Sequence, residues 1–301
     1  MLYTAESIYK EFPRSRFQLK VPSLQLSEGS ITGVVGENGN GKTTLLNIIA
    51  GKLAASGRFS YFGNATYSGI DWSAIKDKIA FIPQRIPRWY GTLIQNLKLQ
   101  AAIEKIPASE IDDYLDEILD FLDLQKFKEL HWSEISTGFR LRFELARVLI
   151  GKPNLLVLDE PLANLDINTQ QKFLSDLKNV LKDKEYPTAV VLSSQQLHEI
   201  ETVANQMVFL RDGTAIFSGE TVELESQSTY AVVELQMHDD QAFESFLETQ
   251  SLAFKKRGEY YQIQLEGEHD ISSFIGSMLE AQLIPIYFRD ISRSTKRLFH
   301  D

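Results

Sequence analysis

Apolar residues follow three spacings along this chain, and each spacing predicts a different element. Residues 1–35 alternate apolar and polar positions between turn residues (Phe17, Leu19, Val21; Leu24, Leu26), which predicts strands with one buried face. Ile31-Thr32-Gly33-Val34-Val35 and Ile79-Ala80-Phe81-Ile82 are short apolar strands, the second stopped by Pro83 and followed by Gln84. Leu155–Leu158 and Ala189–Leu192 are continuous apolar runs, the pattern of parallel central strands covered on both faces. Helical spacing appears in Leu45, Leu46, Ile48, Ile49 and Leu53, and again between residues 92 and 131. There Leu115, Ile118, Leu119 and Leu122 fall at i, i+3, i+4 and i+7. The acidic run Asp112-Asp113…Asp116-Glu117…Asp120 reads as that helix's solvated face, not a metal site. Helices alternating with buried strands predict a parallel sheet with crossover connections. A hairpin turn at Arg211-Asp212-Gly213 joins Met207–Leu210 to Thr214–Phe217.

After residue 222 the pattern changes. The polar stretch Glu223–Ser228 reads as a linker. Beyond it come strand (Ala231–Met237), helix (Gln241–Glu248), strands (Ala253–Lys256 and Tyr260–Leu265), helix (Ile271–Ala281) and strand (Leu283–Phe288). That βαββαβ order predicts a small α+β ferredoxin-like domain over 223–301.

Between Val35 and the first helix stands Gly36-Glu37-Asn38-Gly39-Asn40-Gly41-Lys42-Thr43-Thr44. Strand, glycine loop and helix in this order predict a phosphate-binding loop. Glycines let successive backbone N–H groups curl around phosphate oxygens, and the helix N-terminus adds partial positive charge. Lys42 can reach the outer phosphates, and the Thr43 hydroxyl can hold a magnesium ion bridging them. A hard cation needs further oxygen ligands, and the strand Leu155–Leu158 ends in Asp159-Glu160. Asp159 can orient magnesium through water, while Glu160 is placed to polarise an attacking water.

The bulk numbers bound this picture. At 301 residues there is room for an α/β domain of about 200 residues and a smaller one. A net charge of −10 argues against broad nucleic-acid binding. Without cysteine there is no disulfide or thiol chemistry, and zinc would depend on five histidines. No run of about 18 apolar residues occurs, and the N-terminus has no signal-peptide pattern. The expected location is the cytoplasm, with any membrane work done through a partner.

Taken in order, these motifs resemble the nucleotide-binding subunit of an ATP-binding cassette (ABC) transporter over residues 1–222. The resemblance implies an α/β P-loop NTPase cassette, with a mixed-sheet core and a helical subdomain at about 85–145. It places Phe12 where an aromatic stacks on adenine, and Gln84 at the Q-loop, reaching magnesium and the coupling surface. Ile135-Ser136-Thr137-Gly138-Phe139 takes the signature position, where Ser136 and Gly138 face phosphate. Asp159-Glu160-Pro161 is the Walker B end, Ala163–Asp166 the D-loop, and Val191-Leu192-Ser193-Ser194-Gln195-Gln196-Leu197 the switch. Two subunits would pack head to tail as a homodimer or heterodimer with ATP and Mg2+ between them. Hydrolysis would drive a separate transmembrane permease from the inner face of the cell membrane. Arg85–Thr92 would grip that permease through Trp89 and Tyr90, packing within the helical subdomain being the other reading of these aromatics. The tail Arg289–Phe299 loosely resembles the closing segment of type-2 exporter subunits.

Three residues depart from the family pattern. Thr137 replaces a glycine, at a cost of about 1–2 kcal/mol if the position needs positive φ. Phe139 replaces a glutamine. Gln195 replaces the switch histidine; it can donate to a γ-phosphate but cannot shuttle a proton. His198 would lie elsewhere on the surface. ATP binding is therefore expected intact and hydrolysis slowed. A soluble non-transport cassette ATPase and an ATP-binding regulatory subunit without useful hydrolysis are the alternative functions.

Overall fold

Alternation in the first thirty residues produces a long antiparallel hairpin, β1 (Tyr3–Phe12) against β2 (Phe17–Leu26). Its register sets Phe12 opposite Phe17 at the turn end and Ile8 opposite Val21 further in. The computed structural model describes residues 1–65, 72–182, 188–221, 230–266 and 270–290. The expected linker at Glu223–Ser228, and the tail from Ile291 onward, lie outside the described residues. The chain divides into two compact units, Met1–Gly219 and Glu220–Asp301.

The first unit is built on a mixed sheet. Its remaining strands are β3 (Ile31–Val35), β4 (Ser56–Tyr61), β5 (Asn64–Ala65), β6 (Ile79–Ile82), β7 (Leu155–Leu158), β8 (Ala189–Ser194), β9 (Gln206–Arg211) and β10 (Thr214–Glu220). The order is β5-β4-β1-β2-β10-β9-β3-β8-β7-β6. The successive pairs β9/β3, β3/β8, β8/β7 and β7/β6 are parallel, as is β10/β2, whereas β1/β2, β1/β4 and β4/β5 are antiparallel. Every residue of β3, β7 and β8 is buried, as uninterrupted apolar runs demand of strands covered on both faces. Helix α1 (Lys42–Ile49) follows β3 and turns Leu45, Leu46, Ile48 and Ile49 into the core. Because β3, β8, β7 and β6 are parallel neighbours, the segments leaving their C-terminal ends meet along one edge of the sheet.

A short helix α2 (Trp72–Lys76) precedes β6; helices α3 (Leu93–Ile103), α4 (Ile111–Phe121) and α5 (Thr137–Leu149) pack together between β6 and β7. The Leu115 and Leu119 stripe of α4 is buried, and Asp112, Asp113, Glu117 and Asp120 are exposed. The described residues contain no group of three or more His, Cys, Asp or Glu side chains able to hold a metal. Among them, no helix is long and apolar enough to cross a membrane.

Among the described residues, one core polar atom is an orphan. The Tyr3 hydroxyl is buried without a hydrogen-bond partner. Its edge-on neighbour Tyr61 donates its own O–H to the Ile48 and Ile49 carbonyls at the end of α1. Tyr3→Phe removes the unpaired hydroxyl and leaves the ring contacts intact. It is expected to raise stability by about 1 kcal/mol, read as a higher urea midpoint at unchanged slope.

The second unit has strands β11 (Tyr230–Gln236), β12 (Phe254–Arg257), β13 (Tyr260–Glu266) and β14 (Tyr287–Asp290), with helices at Asp240–Thr249 and Ile271–Glu280. The antiparallel order β12-β13-β11-β14 is that of a ferredoxin-like sandwich. Its core gathers Val233, Leu235, Phe243, Leu247, Ile263 and Phe274. The last strand begins at Tyr287, not at Leu283. Pro285 has no N–H to give a ladder, and pairing starts only where the Ile286 N–H meets the Gln236 carbonyl.

Candidate functional site

The segments following β3, β6, β7 and β8 converge on Glu160. Lys42 opens α1 after Gly41, which takes a left-handed φ of 95°. Its side chain is 4% exposed, and its ammonium donates to the Gly36 carbonyl (2.7 Å) and the Glu37 carbonyl (3.1 Å). It also pairs with Glu160 Oε1 at 3.1 Å. The second carboxylate oxygen, Oε2, accepts from the Gln84 amide at 2.8 Å and the Gln195 amide at 2.7 Å. Glu160 itself sits at a left-handed φ of 45°, an uncommon backbone for a glutamate and one that recurs at functional sites. Its N–H is fixed by the Ser193 hydroxyl at 2.8 Å.

A second cluster stands beside the first. The Thr43 hydroxyl donates to Asp159 Oδ2 at 2.8 Å, and Ser193 donates to Asp159 Oδ1 at 2.9 Å. The donors are hard oxygens, and Thr43 keeps lone pairs free for a cation. This set fits magnesium, with Thr43 and Asp159 as the residues that would hold it. At the first turn of α1, the leading N–H groups have no intrahelical acceptor and carry the positive end of the helix dipole.

Lys42, Thr43, Gln84 and Glu160 line a groove of about 320 Å³ together with Phe12, Ser15, Phe17, Asn38, Gly39, Gly41 and Thr44. Phe12 is half-buried at its rim, 6.2 Å from the Phe17 ring. Asn40 lies in the loop, but its side chain is 9% exposed and points inward: its amide donates to the Leu210 carbonyl, and its oxygen accepts from the Asp212 N–H.

The signature segment is placed elsewhere. Ser136 caps α5, its hydroxyl accepting from the Phe139 N–H, and Ser136 and Thr137 are exposed. Neither Ser136 nor Gly138 is among the groove-lining residues. Gly138 is buried against Thr169 of α6 (Ile167–Val180); a β-carbon there would stand 2.2 Å from Thr169 Cγ2. Close packing against α6 is thus a local reason for glycine at this position. Thr137 opens a regular helix and is not among the residues with positive φ, so the conditional strain at that position is absent. The Phe139 ring lies 4.3 Å from Phe127 in the helical subdomain.

Trp89 does not present a docking surface, contrary to the coupling-interface reading. Its ring is buried and stacks on Trp132 at 4.9 Å, and its indole N–H donates to Glu144 at 3.2 Å. Flanking prolines and arginines hid this pairing, because its partners lie more than forty residues away. Tyr90 next to it is exposed.

Sequence reasoning named Ser193 only as part of the switch, without a role, and missed Phe17. The signal for Ser193 was the pair of hydroxyls, Ser193 and Ser194, closing a strand otherwise apolar; for Phe17, it was an aromatic opposite Phe12 across the hairpin.

Comparison with known proteins places the geometry in a family. The ABC transporter family model matches residues 19–163. "ABC transporter A family member 8" of Dictyostelium discoideum is 30% identical over 216 residues, covering 71% of this chain and 25% of that protein. The molybdenum import ATP-binding protein ModC of Saccharophagus degradans is 32% identical, over 63% of this chain and 52% of its own length. The tungstate uptake system ATP-binding protein TupC of Peptoclostridium acidaminophilum is 29% identical, over 71% and 96%. This chain therefore spans only a quarter to a half of the first two. Among solved structures, cbiO1 from Clostridium perfringens, part of an ABC transporter complex, has a TM-score of 0.68. Its identity is 23%, with 75% of this chain and 91% of that one covered. That likeness supports the P-loop cassette fold.

Proposed function

We propose, from the premise that this chain carries an ATP-binding domain of the ABC transporter family, that residues 1–222 bind and slowly hydrolyse ATP to drive transport. The observation that carries the reading is the meeting of Lys42, Thr43, Asp159 and Glu160 across two separate strand ends. ATP would lie along the groove, its base against Phe12 and its phosphates in the loop Gly36–Thr44, the loop backbone at Asn40 included. Lys42 would exchange its Glu160 contact for phosphate oxygen. A bound magnesium ion, held by Thr43 and Asp159 with Gln84 reaching toward it, supplies charge neutralisation on the phosphates. Glu160 takes the proton from the attacking water, and Gln195 and Gln84 hold its carboxylate in place.

The same reading assigns Ser136 and Gly138 to a second cassette's nucleotide. Ser136 and Thr137 are exposed at the helix N-terminus, and neither Ser136 nor Gly138 lines the groove of its own chain, as a head-to-tail homodimer or heterodimer requires. The partner is a separate transmembrane permease, the location the inner face of the cell membrane, and residues 223–301 an accessory domain. Export is the direction proposed, from the tail's likeness to type-2 exporters. Relatives with import in their names weigh the other way, and the side of reconstituted vesicles on which cargo accumulates decides.

Calorimetric titration of the purified chain with ATP and magnesium tests the binding, and phosphate release tests turnover. No binding at millimolar ATP would sink the proposal. Gln195 sets the expected rate. Gln195→His restores a proton-carrying group beside Glu160, whose charge favours the imidazolium. Turnover is expected to rise about tenfold and to become pH-dependent near neutrality. An unchanged rate would remove Gln195 from the cause of slow turnover.

A further inference from the structure

We infer that Asn40 is a positioning residue: it clamps the phosphate loop to the turn between β9 and β10, so that the loop holds its binding shape before nucleotide arrives. The inference rests on the reading of the groove as an ATP site. Two facing features carry it. On the loop side, the Asn40 amide donates to the Leu210 carbonyl at 3.1 Å, and its carbonyl accepts from the Asp212 N–H at 3.1 Å. Among uncharged side chains of this length, an amide offers a donor and an acceptor together, so a carbonyl near the end of β9 and an N–H of the turn are both satisfied by one residue. The Asn40 N–H closes the loop internally on the Glu37 carbonyl at 3.3 Å.

On the turn side, the platform is rigid. Asp212 and Gly213 both take positive φ, 48° and 77°, as a two-residue hairpin turn requires. Gly213 is pressed so close to β2 that a β-carbon would lie 1.9 Å from the Gln18 carbonyl oxygen. The Gly213 carbonyl in turn accepts from the Lys20 N–H at 2.7 Å.

The same turn meets the loop at two further points. A β-carbon at Gly36 would stand 2.5 Å from the Leu210 carbonyl oxygen that Asn40 uses. The Phe17 ring fills the space between loop and turn: it is 2.8 Å from a β-carbon built at Gly41 and 3.1 Å from one built at Gly213. Gly36, Asn40 and Gly41 therefore bear on one platform, which leaves the α1 N–H groups and Lys42 aimed into the groove. Ordering a glycine-rich loop upon binding is costly, and a loop already ordered binds more tightly.

Asn40→Ala tests this with two readouts. Amide exchange in the nucleotide-free protein is expected to quicken at Gly36–Thr44. The dissociation constants for ATP and ADP are expected to rise together by about tenfold, since both occupy the same loop. In turnover, KM rises by more than kcat falls. A purely structural loss would lower the melting temperature without this selective exchange or the shared factor. Should the alanine variant fail to fold, Asn40→Ser, too short to span to the turn, carries the same expectations. Unchanged exchange in the loop, or unchanged nucleotide affinity in a parent protein that binds ATP, overturns the inference. A parent that binds no ATP defeats the functional proposal instead, and the exchange experiment then judges the clamp alone.

Discussion

Glu160→Gln is expected to lower ATP turnover by about a hundredfold or more while ATP binding is kept or tightened. The glutamine keeps the volume and hydrogen-bonding reach of the carboxylate but cannot accept a proton from water at neutral pH. Tightening follows from the ion pair: Lys42 is engaged by Glu160 at 3.1 Å, and a neutral amide competes less well with phosphate for that ammonium. Removing a negative charge that would face the γ-phosphate acts in the same direction. Phosphate release and equilibrium ATP titration on the same preparation read the two effects separately. Turnover left at the parent rate would remove Glu160 from the role of base. Loss of binding would mean that the ion pair holds the site's shape and does not compete with the ligand.

Arg142→Ala is expected to destabilise the first unit by about 3–5 kcal/mol. Arg142 lies within α5 and is buried, donating to Asp176 of α6 at 2.6 Å and to the Leu122 carbonyl. Asp176 is 1% exposed, with Lys172 as a more distant cation at 3.6 Å. Truncating the arginine leaves a buried carboxylate weakly compensated and a carbonyl without its donor. Burial already pushes the Asp176 pKa above the usual carboxylate range, against the pull of Arg142. Removing the guanidinium raises it further. A carboxyl with a folded-state pKa above its unfolded value contributes stability at low pH that is lost as pH rises. The deficit should therefore be smaller at pH 5 than at pH 8, measured by urea midpoints. Equal deficits at both pH values would show that Asp176 does not carry the penalty. Arg142→Met with Asp176→Leu, which removes both charges and retains volume, should recover part of the loss.

The phosphate loop and the acidic strand end were legible because each is a local pattern. Glycines ahead of Lys42-Thr43, and Asp159-Glu160 after an apolar strand, need only their immediate neighbours to be read. The buried strands were legible for the same reason, since a run such as Leu155–Leu158 has one physical solution. Trp89 was not. An indole between arginines and prolines suits a surface as well as a core, and only packing on Trp132, with Glu144 accepting its N–H, decides between them. Pro285 was visible in the sequence, yet its effect on where the last strand begins depends on which partner strand lies beside it.

What the sequence by itself determined, then, is pattern with short range: a glycine loop ahead of a lysine and a threonine, two carboxylates closing an apolar strand, and the faces of helices and strands. Residue type and spacing along the backbone are enough for those, because the backbone fixes distances between near neighbours. The sheet order decided the rest. Setting β3 beside β8 and β8 beside β7 brings Thr43 to Asp159, puts Ser193 between Asp159 and the Glu160 N–H, and gathers Lys42, Gln84 and Gln195 on one carboxylate. It also turns Asn40 away from the ligand toward Leu210 and Asp212, some 170 residues further along the chain. Contacts across such separations depend on which strands lie side by side, and no local spacing encodes that.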